Sequence, residues 1–297
     1  MANTHAKLSK KKAKKRVSNN NLGTLFLVAT PIGNLSEVSN RTIDILKNVE
    51  VIACEDTRNT IKLLSHFDIH TKMLAYHNFN EEEGANKLLE YLLAGKDVAL
   101  VSDAGYPLIS DPGYVLVNKV IDNGIKINTI SGPSAGINAL VASGLETNHY
   151  LFYGFLNAKD SKAKKELEDL KTFPYTIIFY EAPHRINKTL KNMLEVLGDR
   201  KVVVARELTK LHEEYIRGTL SKVQNLDIKG EIVVLVEGFK KDNEEISIDT
   251  LLEEVKTLVE NGLKTKEAVK EVADKYKISK NDLYNRYIKK WLVIINA

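Results

Sequence analysis

The segment Thr24-Leu25-Phe26-Leu27-Val28-Ala29, followed directly by Thr30-Pro31-Ile32-Gly33-Asn34-Leu35, is the clearest local indication of the fold class. Its first half is a short apolar run with the length of a buried strand, and a proline and a glycine end that strand. Beyond it, short apolar runs alternate with amphipathic segments, as in the predicted strand over 49–54, the helix over 57–67 and the strand over 98–101. Strands that alternate with helices in this way predict an α/β fold with a parallel sheet.

A second group of apolar strands is predicted at 176–180, 201–205 and 232–236, with a further strand over 215–220. Because helices lie between only some of these strands, we interpret this part as a second, mixed α/β domain. Beyond a polar linker, apolar stripes at helical spacing predict a small module that resembles a helix-turn-helix or forms a plain helical hairpin. The predicted parts are a disordered basic tail over 1–22, α/β domains over 23–147 and 148–239, the linker over 240–247 and the helical module over 248–297.

The composition is that of a globular protein: of 297 residues, 43% are apolar and 28% are charged. No apolar run approaches the roughly 20 residues that span a bilayer, and the basic N-terminus is followed by no apolar signal-peptide core. These features predict a cytoplasmic protein without a membrane partner. Cys54, the only cysteine, lies in an apolar run and is predicted to be a buried structural residue. His66 and His70 have helical spacing but no third ligand beside them, so no metal site is predicted.

The net charge of +4 hides an uneven distribution. Residues 1–21 carry seven Lys/Arg and no acid, and residues 262–297 carry nine Lys/Arg against four Asp/Glu. The part between them is acidic, with a net charge of −8. A basic tail is typical either of a segment that binds phosphate backbones or of a solubilising arm. For the C-terminal module we hypothesise an exposed basic row, Arg286 and Lys290, that grips RNA phosphates.

Three loops rich in glycine and proline, at 29–35, 102–113 and 131–136, each follow a predicted strand. In a parallel sheet the loops after the strands line the ligand crevice. Glycine lets the backbone approach a ligand closely, and proline fixes the loop shape. The third loop opens a helix, so its free amides can hold a carboxylate. In the second loop, Asp111 at the N-cap and Pro112 at the first helical position predict the start of a helix.

Seven motifs in order give these loops a family resemblance. They are Val28-Ala29-Thr30-Pro31-Ile32-Gly33-Asn34-Leu35, Ala53-Cys54-Glu55-Asp56-Thr57-Arg58, Val101-Ser102-Asp103-Ala104-Gly105, Ser110-Asp111-Pro112-Gly113, Gly132-Pro133-Ser134, Glu181-Ala182-Pro183-His184-Arg185 and Arg206-Glu207-Leu208-Thr209-Lys210. The chain resembles the tetrapyrrole methylase superfamily and, within it, the ribosomal small-subunit RNA cytidine-2′-O-methyltransferase I family, over about residues 24–238. It departs from the family pattern at Tyr106, where Thr is usual.

The resemblance implies a fold of two α/β domains with S-adenosylmethionine in the cleft between them. It also implies a homodimer and, as substrate, a cytidine ribose in the RNA of the small ribosomal subunit. The residues that the resemblance places at the cofactor are Pro31, Gly33, Ser102, Asp103, Ala104, Gly105, Pro107, Ile109, Gly132, Pro133 and Ser134.

Methyl transfer from a sulfonium is an in-line displacement, so alignment supplies much of the catalysis. A ribose hydroxyl is weakly acidic, and a base assists its attack. The candidate bases follow predicted strands and are Glu55, Asp56, Glu181, His184 and Glu207. The cations beside them, which can hold phosphates or steady an alkoxide, are Arg58, Arg185, Arg206 and Lys210. Structural roles compete: Asp56 can cap the helix that follows, and Glu207 can pair with Arg206 or Lys210. The sequence leaves the base open.

Two other functions compete with RNA methylation. One is methylation of a tetrapyrrole carbon by a small-molecule enzyme of the same superfamily, against which the cluster Glu55-Asp56-Thr57-Arg58 and the helical module argue. The other is an inactive nucleic-acid-binding regulator, which three complete Gly/Pro loops make a weaker interpretation.

Overall fold

A computed structural model describes residues 22–240, 247–276 and 278–295, the last five of these by backbone alone. The chain divides into two compact units, the first ending at Phe239 and the second beginning at Lys240. Residues 1–21 of the predicted basic tail and residues 241–246 of the predicted linker lie outside the described residues.

The first sheet has five strands, and every neighbouring pair is parallel. The strands are β1 (Thr24–Val28), β2 (Val51–Cys54), β3 (Met73–Ala75), β4 (Val98–Val101) and β5 (Lys126–Ile130), in the order β3-β2-β4-β1-β5. The helices that follow them are α1 (Asn40–Asn48), α2 (Thr57–His66), α3 (Glu81–Leu93), α4 (Tyr114–Asp122) and α5 (Ala135–Ser143). The predicted parallel α/β arrangement is confirmed, and it gathers the loops after all five strands at one edge.

The second sheet combines parallel and antiparallel neighbours. Its strands are β6 (Tyr150–Phe155), β7 (Thr176–Glu181), β8 (Lys201–Arg206), β9 (Glu214–Thr219) and β10 (Ile232–Val236), in the order β6-β7-β10-β8-β9. Only β6 and β7 are parallel neighbours. Helices α6 (Asp160–Leu170) and α7 (Ile186–Leu197) connect the first three strands. Because β7 and β8 both run antiparallel to β10, their carboxyl ends meet the start of β10 at one edge of the sheet.

Helix α5 links the two sheets, because it follows the first in sequence but packs against the second. Its Ala139 and Leu140 share a buried cluster with Ile178 of β7 and Val203 of β8. Arg217 on β9 donates from Nη2 to the Ala142 carbonyl at the end of α5, over 2.6 Å. The loop that precedes α5 is thereby held between the first sheet and the second.

The predicted start of α4 at Asp111 is wrong, because the helix begins at Tyr114 with Gly113 as its N-cap. The amides at this end find their acceptor on another helix. Glu81, the first residue of α3, accepts from Gly113 N and Val115 N through Oε1, over 3.0 and 3.3 Å. A carboxylate supplied from a distant segment thus replaces the local cap, and this leaves Asp111 in the loop.

In the described part of the second unit lie three helices: α8 (Ile248–Glu260), α9 (Thr265–Tyr276) and α10 (Lys280–Ile295). Ser279 lies just before α10, and its Oγ accepts from the Asp282 amide over 3.4 Å. The hypothesised basic row is partly neutralised, because Arg286 pairs with Asp282 and Lys290 pairs with Asp249. Within the described residues, no helix is both long and apolar enough to cross a membrane.

Candidate active site

A cavity of about 420 Å³ opens at the carboxyl edge of the parallel sheet, next to the second sheet. All three Gly/Pro loops contribute to it or support it, together with the ends of β7 and β8 and the start of β10. Its lining residues are Ile32, Asp103, Ala104, Gly105, Tyr106, Ile109, Ser110, Asp111, Ser134, Ala135, Phe155, Tyr180, Glu181, Ala182, Pro183, Leu208, Gly230, Glu231, Ile232 and Val233. We call this the large cavity.

Backbone and hydroxyl hydrogen bonds tie the three loops together. Thr30 and Gly105 exchange two backbone hydrogen bonds of 2.9 and 3.0 Å, which join the first loop to the second. Gly105 has φ of +79°, a conformation that favours glycine, and its carbonyl also accepts from Ser102 Oγ over 2.9 Å. The Tyr106 hydroxyl accepts from the Gly132 amide over 3.2 Å, which joins the second loop to the third. The departure from the family pattern at Tyr106 therefore adds a contact between loops.

A second cavity of about 170 Å³ lies on the other side of the first loop, against the first turn of α2. Its lining residues are Thr30, Pro31, Gly33, Leu35, Asn59, Thr60, Lys62, Leu63, Ser102 and Asp103. We call this the small cavity. Asp103 is the one residue that lines both cavities.

The residues that the resemblance places at the cofactor fall into three groups. Those on the large cavity are Asp103, Ala104, Gly105, Ile109 and Ser134, and those on the small cavity are Pro31, Gly33, Ser102 and Asp103. Pro107, Gly132 and Pro133 line neither cavity. Pro107 is buried, and a Cβ at Gly132 would lie 2.8 Å from that of Ala29, so this glycine permits close packing of the loop on the end of β1.

Three carboxylates influence one another electrostatically at this edge: Glu55 after β2, Asp103 after β4, and Asp111. Burial, and then the negative charges of Glu55 and Asp103, raises the pKa of Asp111 to about 6. Burial and the charge of Asp103 also raise the pKa of Glu55. Across the described part of the chain, no three His, Cys, Asp or Glu side chains are grouped so that they could hold a metal ion. Cys54 beside them is fully buried, which confirms its predicted burial.

Asp56 and Arg58 form a local pair rather than a lining of either cavity. The Asp56 carboxylate caps α2 by accepting from the Arg58 amide over 2.8 Å, which confirms the predicted cap, and it pairs with the Arg58 guanidinium over 2.7 Å. These hydrogen bonds from Arg58 lower the pKa of Asp56 to about 2. The Arg58 side chain is 88% exposed, so it remains within reach of a large ligand.

Glu181 lines the large cavity, but its carboxylate already accepts hydrogen bonds from donors of its own chain segment. It accepts from the Ala182 amide over 2.7 Å, from Thr189 Oγ1 over 2.6 Å, and from Arg185 Nε. The Glu181 side chain is 1% exposed. Such a carboxylate organises the turn into α7, where Arg185 is the N-cap. His184 is exposed and lies on neither cavity.

Glu207, Lys210 and Glu231 form a cluster joined by ion pairs. Lys210 Nζ donates to Glu207 over 2.8 Å and to Glu231 over 2.9 Å, which confirms the structural pairing considered for Glu207. The hydrogen bond from Lys210 lowers the pKa of Glu207. The Lys210 side chain also packs so close to Gly33 that a Cβ there would lie 2.5 Å from Lys210 Cγ. Arg206 pairs instead with Glu214, with 2.6 Å between Arg206 Nε and Glu214 Oε2.

Several cavity residues were missed because their signal is tertiary. Asn59 and Lys62 sit on α2 just beyond the noted cluster, where a polar first turn after a strand was the available clue. Gly230 and Glu231 precede β10 and reach the site only because that strand begins where β7 and β8 end. Apolar linings such as Phe155 carry no pattern that distinguishes them from ordinary core.

These cavities sit on a fold that matches known methylases. The model of the Tetrapyrrole (Corrin/Porphyrin) Methylases family matches residues 24–224, and the chain belongs to this family.

Close relatives place the chain more narrowly. It is 46% identical over 277 residues to a protein of Bacillus subtilis named ribosomal RNA small subunit methyltransferase I, covering 90% of this chain and 94% of that protein. The protein of the same name from Vibrio cholerae is 44% identical, with 88% and 92% covered. Within the superfamily, the chain therefore groups with the proteins of that name.

Solved structures agree on the fold. The methyltransferase CobJ matches with a TM-score of 0.57 at 18% identity, covering 73% of this chain and 94% of that one. Diphthine synthase matches with a TM-score of 0.54 at 14% identity, covering 72% and 89%. At these identities the similarity concerns the fold alone.

Proposed function

We propose that the protein transfers a methyl group from S-adenosylmethionine to the RNA of the small ribosomal subunit, at the 2′-hydroxyl of a cytidine ribose. The observation that carries the proposal is a loop-built cavity beside carboxylates, in a chain nearly half identical to proteins named for that RNA. The cytidine and the 2′ position rest on the family resemblance of the seven motifs.

The large cavity has the properties that the methyl donor needs. Its volume of about 420 Å³ lies within the usual range for small-molecule sites. Apolar side chains such as Ile109 and Phe155 suit an adenine, and the carboxylates of Asp103 and Glu231 suit a cation. The amides at the start of α5, after Ser134, suit a carboxylate. When bound there, the donor would supply an electrophilic methyl group on a positively charged sulfur.

The protein's own part in the reaction is alignment and proton acceptance. The three bonded loops fix the cavity wall before the donor arrives, so little ordering remains for the moment of transfer. A carboxylate at the wall would accept the proton of the attacking hydroxyl. The exposed Arg58 is placed to approach RNA phosphates outside the cavities.

The test is methylation of defined acceptors with labelled S-adenosylmethionine. Small ribosomal subunits, protein-free small-subunit RNA and a tetrapyrrole are offered separately, and digested RNA is analysed by mass spectrometry. We expect label in 2′-O-methylcytidine. The variant Gly105→Val, which puts a β-branched residue at φ of +79°, should lose the activity and serves as the inactive control. Label on a base, or on the tetrapyrrole alone, would contradict the proposal.

We also propose the homodimer that the resemblance implies. Light scattering on the purified chain should then report twice its mass of 33.4 kDa. A mass of one chain at micromolar concentration would show the dimer to be wrong.

A further inference from the structure

We propose that the small cavity seats the sugar of the acceptor nucleotide, and that Asp103 is the catalytic residue that takes the proton from its hydroxyl. This inference rests on the proposed function, because it needs a donor in the large cavity. It adds a location for the acceptor and an identity for the base.

Asp103 lies where the two cavities adjoin. A methyl group must pass directly from the donor to the acceptor, so the two reacting atoms meet where their sites adjoin. Asp103 is the one residue that lines both cavities. It follows β4, the middle strand of the parallel sheet, so its loop lies between the two sites.

The Asp103 carboxylate is held on one side by a relay of two hydrogen bonds. Asn59 Nδ2 donates to Asp103 Oδ2 over 2.9 Å, and Lys62 Nζ donates to Asn59 Oδ1 over 3.2 Å. This relay orients one carboxylate oxygen and connects it to a positive charge. Among the described residues, none donates a hydrogen bond to Oδ1 of Asp103, which leaves that oxygen for a ligand.

The other candidate bases are either bound to partners of their own chain or lie away from the cavities. Asp56 is held by Arg58, Glu181 by three donors, and Glu207 by Lys210. Glu55 lies on neither cavity. Glu181 must break hydrogen bonds before it can accept a proton, and Asp56 and Glu207 line neither cavity, so these residues are poorer bases than Asp103.

The chemistry of the small cavity suits a sugar. Pro31, Leu35 and Leu63 provide apolar surface, while Lys62 at the rim provides a cation for a neighbouring phosphate. Thr60 is 4% exposed, and its Oγ1 finds no nitrogen or oxygen partner in the described chain. The neighbouring Cys54 thiol is only a weak partner.

The proposed step is a direct transfer of the methyl group from sulfur to the acceptor oxygen. The acceptor oxygen forms a bond to the methyl carbon as the carbon–sulfur bond breaks, and that bonding pair stays on sulfur. The hydroxyl proton passes to Oδ1 of Asp103, which then releases it to water. Asn59 and Lys62 act as positioning residues, since they touch the carboxylate relay rather than the reacting atoms.

A cavity-filling variant tests the location. Leu35→Trp should fill the small cavity, because Leu35 lines it and not the large one. We expect S-adenosylmethionine affinity by calorimetry to stay within about threefold, and transfer to small subunits to fall at least tenfold. Leu211→Trp is the matched control, since Leu211 is 92% exposed and lines neither cavity. Full transfer by folded Leu35→Trp would overturn the location.

Two polar variants test the base. Asp103→Asn should lower the single-turnover rate at saturating donor by about 100-fold or more, with Asp103→Glu recovering part of it. Asn59→Ala should lower the single-turnover rate at saturating donor while S-adenosylmethionine affinity stays within about threefold, because the Asp103 carboxylate loses the donor that orients it; Asn59→Gln should recover part of that rate. A near-normal rate for Asp103→Asn, or an unchanged rate for Asn59→Ala, would overturn the role of Asp103. If the wild-type chain methylates no small-subunit RNA, the proposed function fails instead, and that result is distinct from failure of the variants alone.

Discussion

The loops after the parallel sheet and the loops after the mixed sheet contain the same kind of motif, a charged cluster directly behind an apolar strand, but use it differently. Behind the parallel sheet, Asp103 and Asp111 line a cavity with few donors around them. Behind the mixed sheet, Glu181 accepts from three donors of its own segment, and Glu207 is paired with Lys210. Residue type and position after a strand therefore do not predict how many hydrogen-bond donors surround a carboxylate; the tertiary structure sets that number.

The topology explains the difference. A parallel sheet gathers the carboxyl ends of all its strands at one edge, so its loops surround an open crevice. In the mixed sheet, the same edge holds the ends of β7 and β8 and the start of β10. Glu231 before β10 is thereby brought to Lys210 after β8, where the charges neutralise one another. Substitutions on the two sides of this contrast should therefore differ in their effects.

Glu181→Gln should destabilise the fold most. The substitution leaves the cluster of three donors facing a neutral amide that cannot accept from all of them, and we expect a loss of about 3 kcal/mol in the free energy of unfolding. Chemical denaturation measures it. Glu214→Gln is the control, because its pair with Arg206 is about half exposed and should contribute under about 1 kcal/mol. Equal losses in the two variants would contradict a structural role for Glu181.

Gly230→Ala should lower stability by about 2 kcal/mol. Gly230 has φ of +92°, and a Cβ there would lie 2.1 Å from Glu207 Oε1. The Glu207 side chain must then leave Lys210. Gly198→Ala separates the two causes, because Gly198 has φ of +83° with nothing within 4 Å of its Cβ position. Thermal unfolding of both variants should show the larger loss at Gly230, and no difference would mean that the contact with Glu207 is not required.

Asp111→Asn should stabilise the protein, and only at higher pH. The folded pKa of Asp111 is raised from 3.8 to about 6, so its contribution to stability is complete below pH 3.8 and is lost as the pH rises through 6. Asparagine stays neutral, and we expect a gain of about 1–2 kcal/mol at pH 8 that shrinks towards pH 4.5. Denaturation curves at several pH values measure it, with exposed Asp227→Asn as control. A gain independent of pH would show that charge is not the cause.

Tyr106→Phe should have the smallest effect. It removes the hydroxyl that accepts from the Gly132 amide over 3.2 Å and leaves the ring in place. We expect a loss of about 0.5–1 kcal/mol in stability and a modest weakening of S-adenosylmethionine binding, measured by calorimetry. Tyr114→Phe, on an exposed side chain outside both cavities, is the matched control. If both variants bind the donor equally, the bond between the second and third loops is not needed for the site.

The elements that could be predicted from the sequence are those whose signals are local. Apolar runs of strand length marked β1, β4 and β10, and glycine with proline marked the loops, because these residues act on the backbone where they stand. The family motifs were equally local, being short segments in a set order. The strand β3 showed no comparable signal, since it has three residues and none of them is buried.

Which polar groups lack hydrogen-bond partners depends on the tertiary structure. The start of α4 depends on Glu81, which is 32 residues before Gly113, and the state of Glu207 depends on Lys210 and on Glu231. The position of Asp103 between two cavities depends on the arrangement of three loops around the sheet edge. Hydrogen bonding and burial are set by groups far apart in the chain, and no local pattern of residues encodes them.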